Sequence, residues 1–304
     1  MNFYTIPIFG AFVAAMPFSV AAQEISGAAT FAYGAYSASD GFPDSSVLSL
    51  DGEIGVTYDN GLIFGATASS EKADVDGVSE DISFNTFGLN GAVGFAEFWR
   101  AGAYVEYAEI DIDGVGSDSL DSYGLVLGYD SDLMAFEIFA GESDTDLLTG
   151  TGVDWTDVGA TFAFNIDTAG AVGGHVVRSR LSSGGADIDL TSIGLGGHYN
   201  FGNGLTGFAG VSRAEVDVLV GDVTTFGFGV GYDLTATANF PAVVSLELAR
   251  STLDDGFDDY EEDSIRLGIT LPFGAAKGAP LNSVAANAMS PNRNALSTAI
   301  VGAY

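Results

Sequence analysis

The amino-acid sequence predicts an all-β fold, an antiparallel transmembrane β-barrel of about 14 strands, within a range of about 12 to 16. Three observations predict it. Between Ile25 and Phe273 apolar and aromatic residues recur at every second position in segment after segment, the period of a strand with one apolar face. The segments run about nine to thirteen residues, the length a tilted strand needs to cross a bilayer. Their connections alternate between short polar turns and longer acidic stretches. A soluble sandwich shares the alternation, so it is strand number, strand length and alternating connections that point to lipid. A sheet in lipid must also close on itself, because an open edge finds no water there.

The elements follow in order. Strand one, near Glu24 to Tyr36, leads to an acidic loop holding Asp40 and Asp44. Strand two, Val47 to Tyr58, ends at Asp59-Asn60-Gly61, and Asn-Gly is the strongest short hairpin signal. Strand three (Leu62 to Ser69) enters a loop with Glu71, Asp74, Asp76, Glu80 and Asp81, and strands four (Ile82 to Phe95) and five (Phe98 to Ala108) join tightly. After the acidic stretch Glu109 to Asp121, strands six (Ser122 to Tyr129) and seven (Leu133 to Gly141) meet at Asp130-Ser131-Asp132. A loop with Glu142, Asp144, Asp146 and Asp154 precedes strand eight (Trp155 to Phe164), which turns near Asn165 to Thr168 into strand nine (Ala171 to Arg178). Strands ten (Ile193 to Phe201) and eleven (Leu205 to Ala214) turn at Gly202-Asn203-Gly204; twelve (Val223 to Leu234) and thirteen (Val243 to Arg250) turn at Thr235 to Pro241. The last acidic loop, Asp254 to Asp263, precedes strand fourteen, where Ile265, Leu267, Ile269, Leu271 and Phe273 share one phase. Short turns on the periplasmic side and long connections outside return both barrel ends to the periplasm, as an even strand number requires.

The composition agrees. The 304 residues include 42 Gly, 22 Phe, 12 Tyr, 2 Trp and 7 Pro, and the mean hydropathy is +0.28 beside a net charge of -32. Both values coexist because the acid is gathered in the connections. So much apolar surface argues against disorder, and 9 Lys and Arg against 41 Asp and Glu argue against nucleic acid as a partner. The absence of Cys excludes thiolate metal sites and disulfides.

Residues 1–22 read as a secretory signal. Ile6 to Val20 is apolar and Val20-Ala21-Ala22 offers small residues before a cut at Gln23, although Met1 to Tyr4 carries no Lys or Arg. Pro7 and Pro17 interrupt the stretch and argue against a membrane anchor. The barrel is expected over 23–273 and a flexible tail over 274–304, periplasmic or loosely inserted in the lumen. In that tail Pro280 and Pro291 interrupt the pattern, and Leu296, Thr298, Ile300, Gly302 and Tyr304 only weakly imitate a strand.

An exported chain with such strands, Asp-rich loops and an Ile-x-Leu-x-Ile-x-Leu-x-Phe run at 265–273 resembles the Gram-negative outer-membrane porins of alphaproteobacterial type. The resemblance implies passive diffusion of small hydrophilic solutes across the outer membrane, and a homotrimer. It departs from the family in two places: no connection is long enough to fold inward as a constriction, and 31 residues follow Phe273.

Barrel width also argues for transport, because eight strands are filled by their own side chains whereas wider barrels leave a channel. The face opposite the apolar set offers Asp51, Glu53, Arg100, Tyr104, Glu106, Glu137, Asp157, Glu247 and Arg266 as pore-lining candidates. Acid dominates there, so cations are the favoured solutes. Arg213 and Arg250 fall on the lipid face at its upper rim, placed to contact lipid headgroups as outer-membrane partners. No catalytic site, cofactor or metal is expected. His175 and His198 lie in no catalytic motif, and Asp111-Ile112-Asp113-Gly114 lacks the downstream spacing of a calcium loop. The rival reading is a closed barrel whose acidic loops bind a surface partner. A continuous water path through the lumen favours the pore; a plug of side chains or tail favours the rival.

Overall fold

A computed structural model describes residues 22–39, 42–145, 148, 152–217, 221–238, 240–254, 259–274 and 279–303. The expected signal segment lies outside them, apart from Ala22. Fourteen antiparallel strands close into one barrel: β1 (Ala22–Ala38), β2 (Ser45–Tyr58), β3 (Leu62–Val75), β4 (Ile82–Ala96), β5 (Trp99–Ile112), β6 (Gly116–Asp130), β7 (Met134–Thr145), β8 (Asp154–Ile166), β9 (Gly170–Ser183), β10 (Ala186–Gly202), β11 (Leu205–Val216), β12 (Gly221–Asp233), β13 (Val243–Asp254) and β14 (Asp259–Phe273). Each strand pairs with its sequence neighbours, and β1 closes the barrel on β14 from Gly27↔Phe273 to Ala38↔Glu262. A short helix, α1 (Thr235–Ala238), sits in the β12–β13 turn.

The strands begin and end at the short turns as the sequence predicts, but at the acidic end they run further. β9 and β10 continue to a two-residue hairpin at Gly184 (φ 60) and Gly185 (φ 93), backbone angles that favour glycine. β5 and β6 likewise pair up to Ile112↔Gly116. Most of the acid assigned to loops is therefore carried on strands. Once a strand leaves the apolar layer both its faces are polar, so the period-two signal stops while the hydrogen-bonded ladder goes on.

The outward face is apolar in its lower part. Phe31, Leu125, Phe226 and Leu267 are each half or more exposed, which a soluble protein avoids in so continuous a belt. Aromatic contacts mark the short-turn rim: Tyr58–Phe64, Trp99–Tyr129 and Tyr199–Phe201, the girdle expected at a membrane interface. At the other rim the outward side chains become charged pairs, with Arg178 and Arg180 on Asp189, Arg213 on Asp222, and Arg250 on Asp263.

Phe273 ends the barrel, and beyond it the expected flexible tail is a folded element. It turns back into the lumen and forms α2 (Val284–Met289) and α3 (Ala295–Ala303). The prolines read as interruptions stand just before the two helices. Val284, Ala285, Ala288 and Ala295 are almost fully buried; of the residues that imitated a strand, Leu296, Thr298, Ile300 and Gly302 lie on α3, and Tyr304 lies outside the described residues.

Candidate functional site

Fourteen strands at ~4.8 Å spacing and ~40–45° tilt enclose a backbone cylinder ~30 Å across. Glycine, serine and alanine on much of the inward face leave this cylinder too wide for the wall side chains to fill, and the tail occupies it. The seat for α2 is built by register. Gly196 of β10 pairs with Gly210 of β11, which pairs with Gly227 of β12, and all three face inward. A Cβ at Gly196 would stand 2.5 Å from the Ala285 carbonyl oxygen, and one at Gly210 would stand 2.7 Å from the Ala285 Cα. Here glycine is required by the approach of another backbone. In the Gly-rich stretch 194–197 the tail accounts for Gly196, while a Cβ at Gly194 would meet His175 before Ala288, and one at Gly197 would meet only Ala171 and Val172 of β9.

Polar contacts fasten the tail along its length. At its entry, Leu281 N donates to Thr30 Oγ1 (3.2 Å) and Asn282 Nδ2 to Ser49 Oγ (3.2 Å), while Arg266 Nη1 donates to the Asn282 carbonyl (2.8 Å). Ser283 caps α2, its side chain accepting from Ala286 N, and Val284 N donates to Glu247 Oε1 (3.0 Å). These contacts occupy amides that a helix start leaves unpaired. The Ala288 carbonyl meets His175 Nδ1 (2.7 Å), so this imidazole nitrogen carries the proton and donates.

Between the helices Arg293 is the main latch. Its Nη2 lies 2.6 Å from Glu137 Oε1, its backbone N donates to Glu106 Oε2 (2.7 Å), and its guanidinium stands 5.5 Å and 5.1 Å from the Tyr104 and Phe139 ring centres. Arg100 joins from the wall, 3.5 Å from Glu137 and 3.2 Å from Asp130. Asn294 Nδ2 donates to Asp157 Oδ1 (3.0 Å), its own Oδ1 accepts from Leu296 N (2.9 Å) at the start of α3, and Ala295 N donates to Ser179 Oγ (2.9 Å). Toward the acidic end Ile300 and Val301 pack on a wall cluster of Phe84, Ala108, Leu120 and Trp155. A cavity between wall and tail, lined by Glu106, Leu120, Asn292 and Ser297, holds about 10 Å³, room for about one water.

The sequence candidates fall as follows. Asp51, Tyr104, Glu137, Asp157, Glu247 and Arg266 are inward and buried. Arg100 and Glu106 are inward as well, while Glu53 is inward and exposed, nearer the short turns. Glu106, Glu137, Asp157, Glu247 and Arg266 hold the tail; Tyr104 lies under Arg293; Asp51 does not touch the tail through any hydrogen bond among the described residues. Arg213 and Arg250 stay on the outward face at the acidic rim, paired to Asp222 (3.0 Å) and Asp263 (2.6 Å), and no phase slip turns them inward. Sequence reasoning missed Asn282, Ser283, Arg293 and Asn294. A Ser three residues ahead of Ala286, and an Asn ahead of an apolar run, are the helix-start signals that could have found them. Among the described residues no group of three or more His, Cys, Asp or Glu is arranged to hold a metal ion.

The fold is that of Gram-negative outer-membrane porins and channels. An anion-selective porin from Comamonas acidovorans superposes with a TM-score of 0.52 at 10% identity, covering 82% of this chain and 99% of that one. The CymD monoaromatic hydrocarbon channel gives 0.52 at 11% identity over 82% and 88%, and a TodX deltaS2S3 mutant monoaromatic hydrocarbon channel gives 0.51 at 12% over 82% and 90%. No protein-family model and no curated protein sequence matches the chain.

Proposed function

We propose that the protein is an outer-membrane transport barrel held shut by its own C-terminal segment, opening for small hydrophilic solutes and preferring cations. The observation that carries this reading is the glycine seat: Gly196, Gly210 and Gly227 make a surface shaped for a separate element that docks by polar contacts. A lumen permanently filled would need no wide barrel, since fewer strands close on their own side chains. The wall behind the tail is acidic, with Asp51, Glu53, Glu71, Glu106, Glu137, Asp157 and Glu247 against Arg100 and Arg266. That balance favours cations in a narrow low-dielectric path, the opposite of the selectivity in the name of the Comamonas porin. Export through a cleaved segment 1–22 would deliver the chain, and Arg213 and Arg250 would stand at headgroup level in the outer leaflet.

As it stands, the occupied lumen meets the criterion for the rival, a closed barrel with a surface-binding role, so the test must separate the two. Full-length protein and a form ending at Gly274 are compared in planar bilayers. The transport reading expects brief or rare openings from the full chain and steady conductance from the truncated one. A truncated barrel that assembles and does not conduct decides for the closed barrel, and equal steady conductance from both forms removes the tail as a gate.

A further inference from the structure

Behind the entry segment of the tail, the wall holds two buried carboxylates that the latch does not use. Asp51 on β2 and Glu71 on β3 face the lumen, each 6% exposed. The ladder pairs Asp51 with Ser69 and Ser49 with Glu71, which makes the two acids diagonal neighbours on one face, within reach of a shared ligand. Ser69 Oγ donates to Asp51 Oδ1 at 2.6 Å. Asp51 Oδ2 and Glu71 Oε2 have no hydrogen-bond partner among the described residues. Arg266 lies on the same side of the lumen, but its Nη2 is 3.2 Å from Glu247 Oε2 and its Nη1 donates to the Asn282 carbonyl.

Two neighbouring carboxylates removed from water repel each other and lose their hydration; the one positive charge of Arg266, shared with Glu247, offsets this in part, and a cation or a shared proton relieves the rest. The donors here are all oxygen. Two carboxylates and the Ser49 and Ser69 hydroxyls supply up to about six oxygens, the donor type of a hard cation, with no nitrogen or sulfur to draw a softer metal. We propose that Asp51 and Glu71, with Ser49 and Ser69, bind one divalent cation of the calcium type in the lumen wall. The cation braces the tail entry from behind. Thr30, which holds Leu281, pairs with Asp51 across the β1–β2 ladder, and Ser49, which holds Asn282, is itself a ligand of the cation. The site stands on wall residues alone and does not depend on whether the tail moves.

Calorimetric titration of calcium chloride into chelator-treated, detergent-folded full-length protein tests this. About 0.5 M NaCl shortens the screening length to a few ångströms and suppresses diffuse binding to the exposed acids. The expected result is one saturable equivalent that disappears in Asp51→Asn/Glu71→Gln and in Glu71→Gln alone. It should survive in Glu261→Gln/Asp263→Asn on the outer rim. Heat-modifiable migration in gels verifies that each variant is folded, and the single Glu71→Gln change keeps the test available if the double variant does not assemble. Wild-type protein with no saturable equivalent, or folded variants that retain it, would overturn the site, the first result meaning that the acids share a proton instead. Neither result bears on the conductance of the truncated barrel.

Discussion

Replacing Gly210 by Leu, alone and together with Gly196→Leu, should drive the tail from the lumen without harming the barrel. The nearest three atoms to a Cβ at either position all belong to the tail, at 2.5 to 3.1 Å for Gly196 and 2.7 Å for Gly210. They are backbone atoms, so no rotamer change relieves the clash, and α2 must move by ~1 Å for the Cβ alone to reach ordinary contact, further for a whole Leu. Overpacking of that kind costs ~1–3 kcal/mol per site. A shift of ~1 Å also stretches the Val284–Glu247 bond from 3.0 Å and the Ala288–His175 bond from 2.7 Å beyond useful range, at ~1–3 kcal/mol for each polar group left buried and unpaired. The double variant thus opposes docking by ~4–12 kcal/mol, and the strands themselves lose only glycines whose nearest neighbours on the inward face are tail atoms. Single-channel recording in planar bilayers should show the double variant conducting like the form ending at Gly274, with an outward control, Ala209→Leu, behaving as wild type. A folded double variant no more conductive than wild type would refute the view that α2 on its glycine seat closes the path.

Ending the chain at Gly274 should leave a barrel that assembles and keeps heat-modifiable migration in gels, because β14 already pairs fully with β1; failure to assemble would mean that the tail is needed for closure. Arg293→Ala should weaken tail docking by roughly 2–3 kcal/mol, since it removes both ring contacts and the Glu137 ion pair while Arg100 still partly compensates Glu137; limited proteolysis should then cleave the tail faster while the barrel resists. In the truncated barrel, the reversal potential in a KCl gradient should indicate cation preference that fades as salt rises, and anion preference would contradict the charge argument. At the acidic rim, above the apolar layer, Arg180 and Arg178 hold the Asp189 carboxyl well below the usual carboxylate range. A depressed folded pKa means that this contribution is complete above the unfolded carboxylate value and is lost as pH falls below it. Asp189→Asn should therefore lower stability at neutral pH, where that contribution is whole, and flatten the acid limb of the stability profile below about pH 4, where variant and wild type converge.

Much of the molecule was legible in the sequence because the lipid–lumen division is local. In β14 the phase of Ile265, Leu267, Ile269, Leu271 and Phe273 was enough to place the strand, its outward face and its end, and the same reasoning put Asp51, Glu137, Asp157 and Arg266 inward and Arg213 and Arg250 outward. Turn chemistry such as Asn60-Gly61 fixed the short-turn ends. The opposite ends were set too low, as at Ser182 and Asp187, because a ladder that continues into water on both faces leaves no apolar period to read.

What only the tertiary structure decided is the state of the lumen. Gly196, Gly210 and Gly227 are far apart in sequence and become one seat through the registers of two ladders, and no single segment carries that information. The tail is short of large apolar residues and reads as unstructured by itself; it folds because Glu247, His175, Glu106, Glu137 and Asp157, delivered by five different strands, meet its amides and Arg293 in a site shielded from bulk water. Sequence determined the wall, since each strand answers to its own solvents. Closure of the path required knowing which residues on distant strands face one another across ~30 Å of lumen.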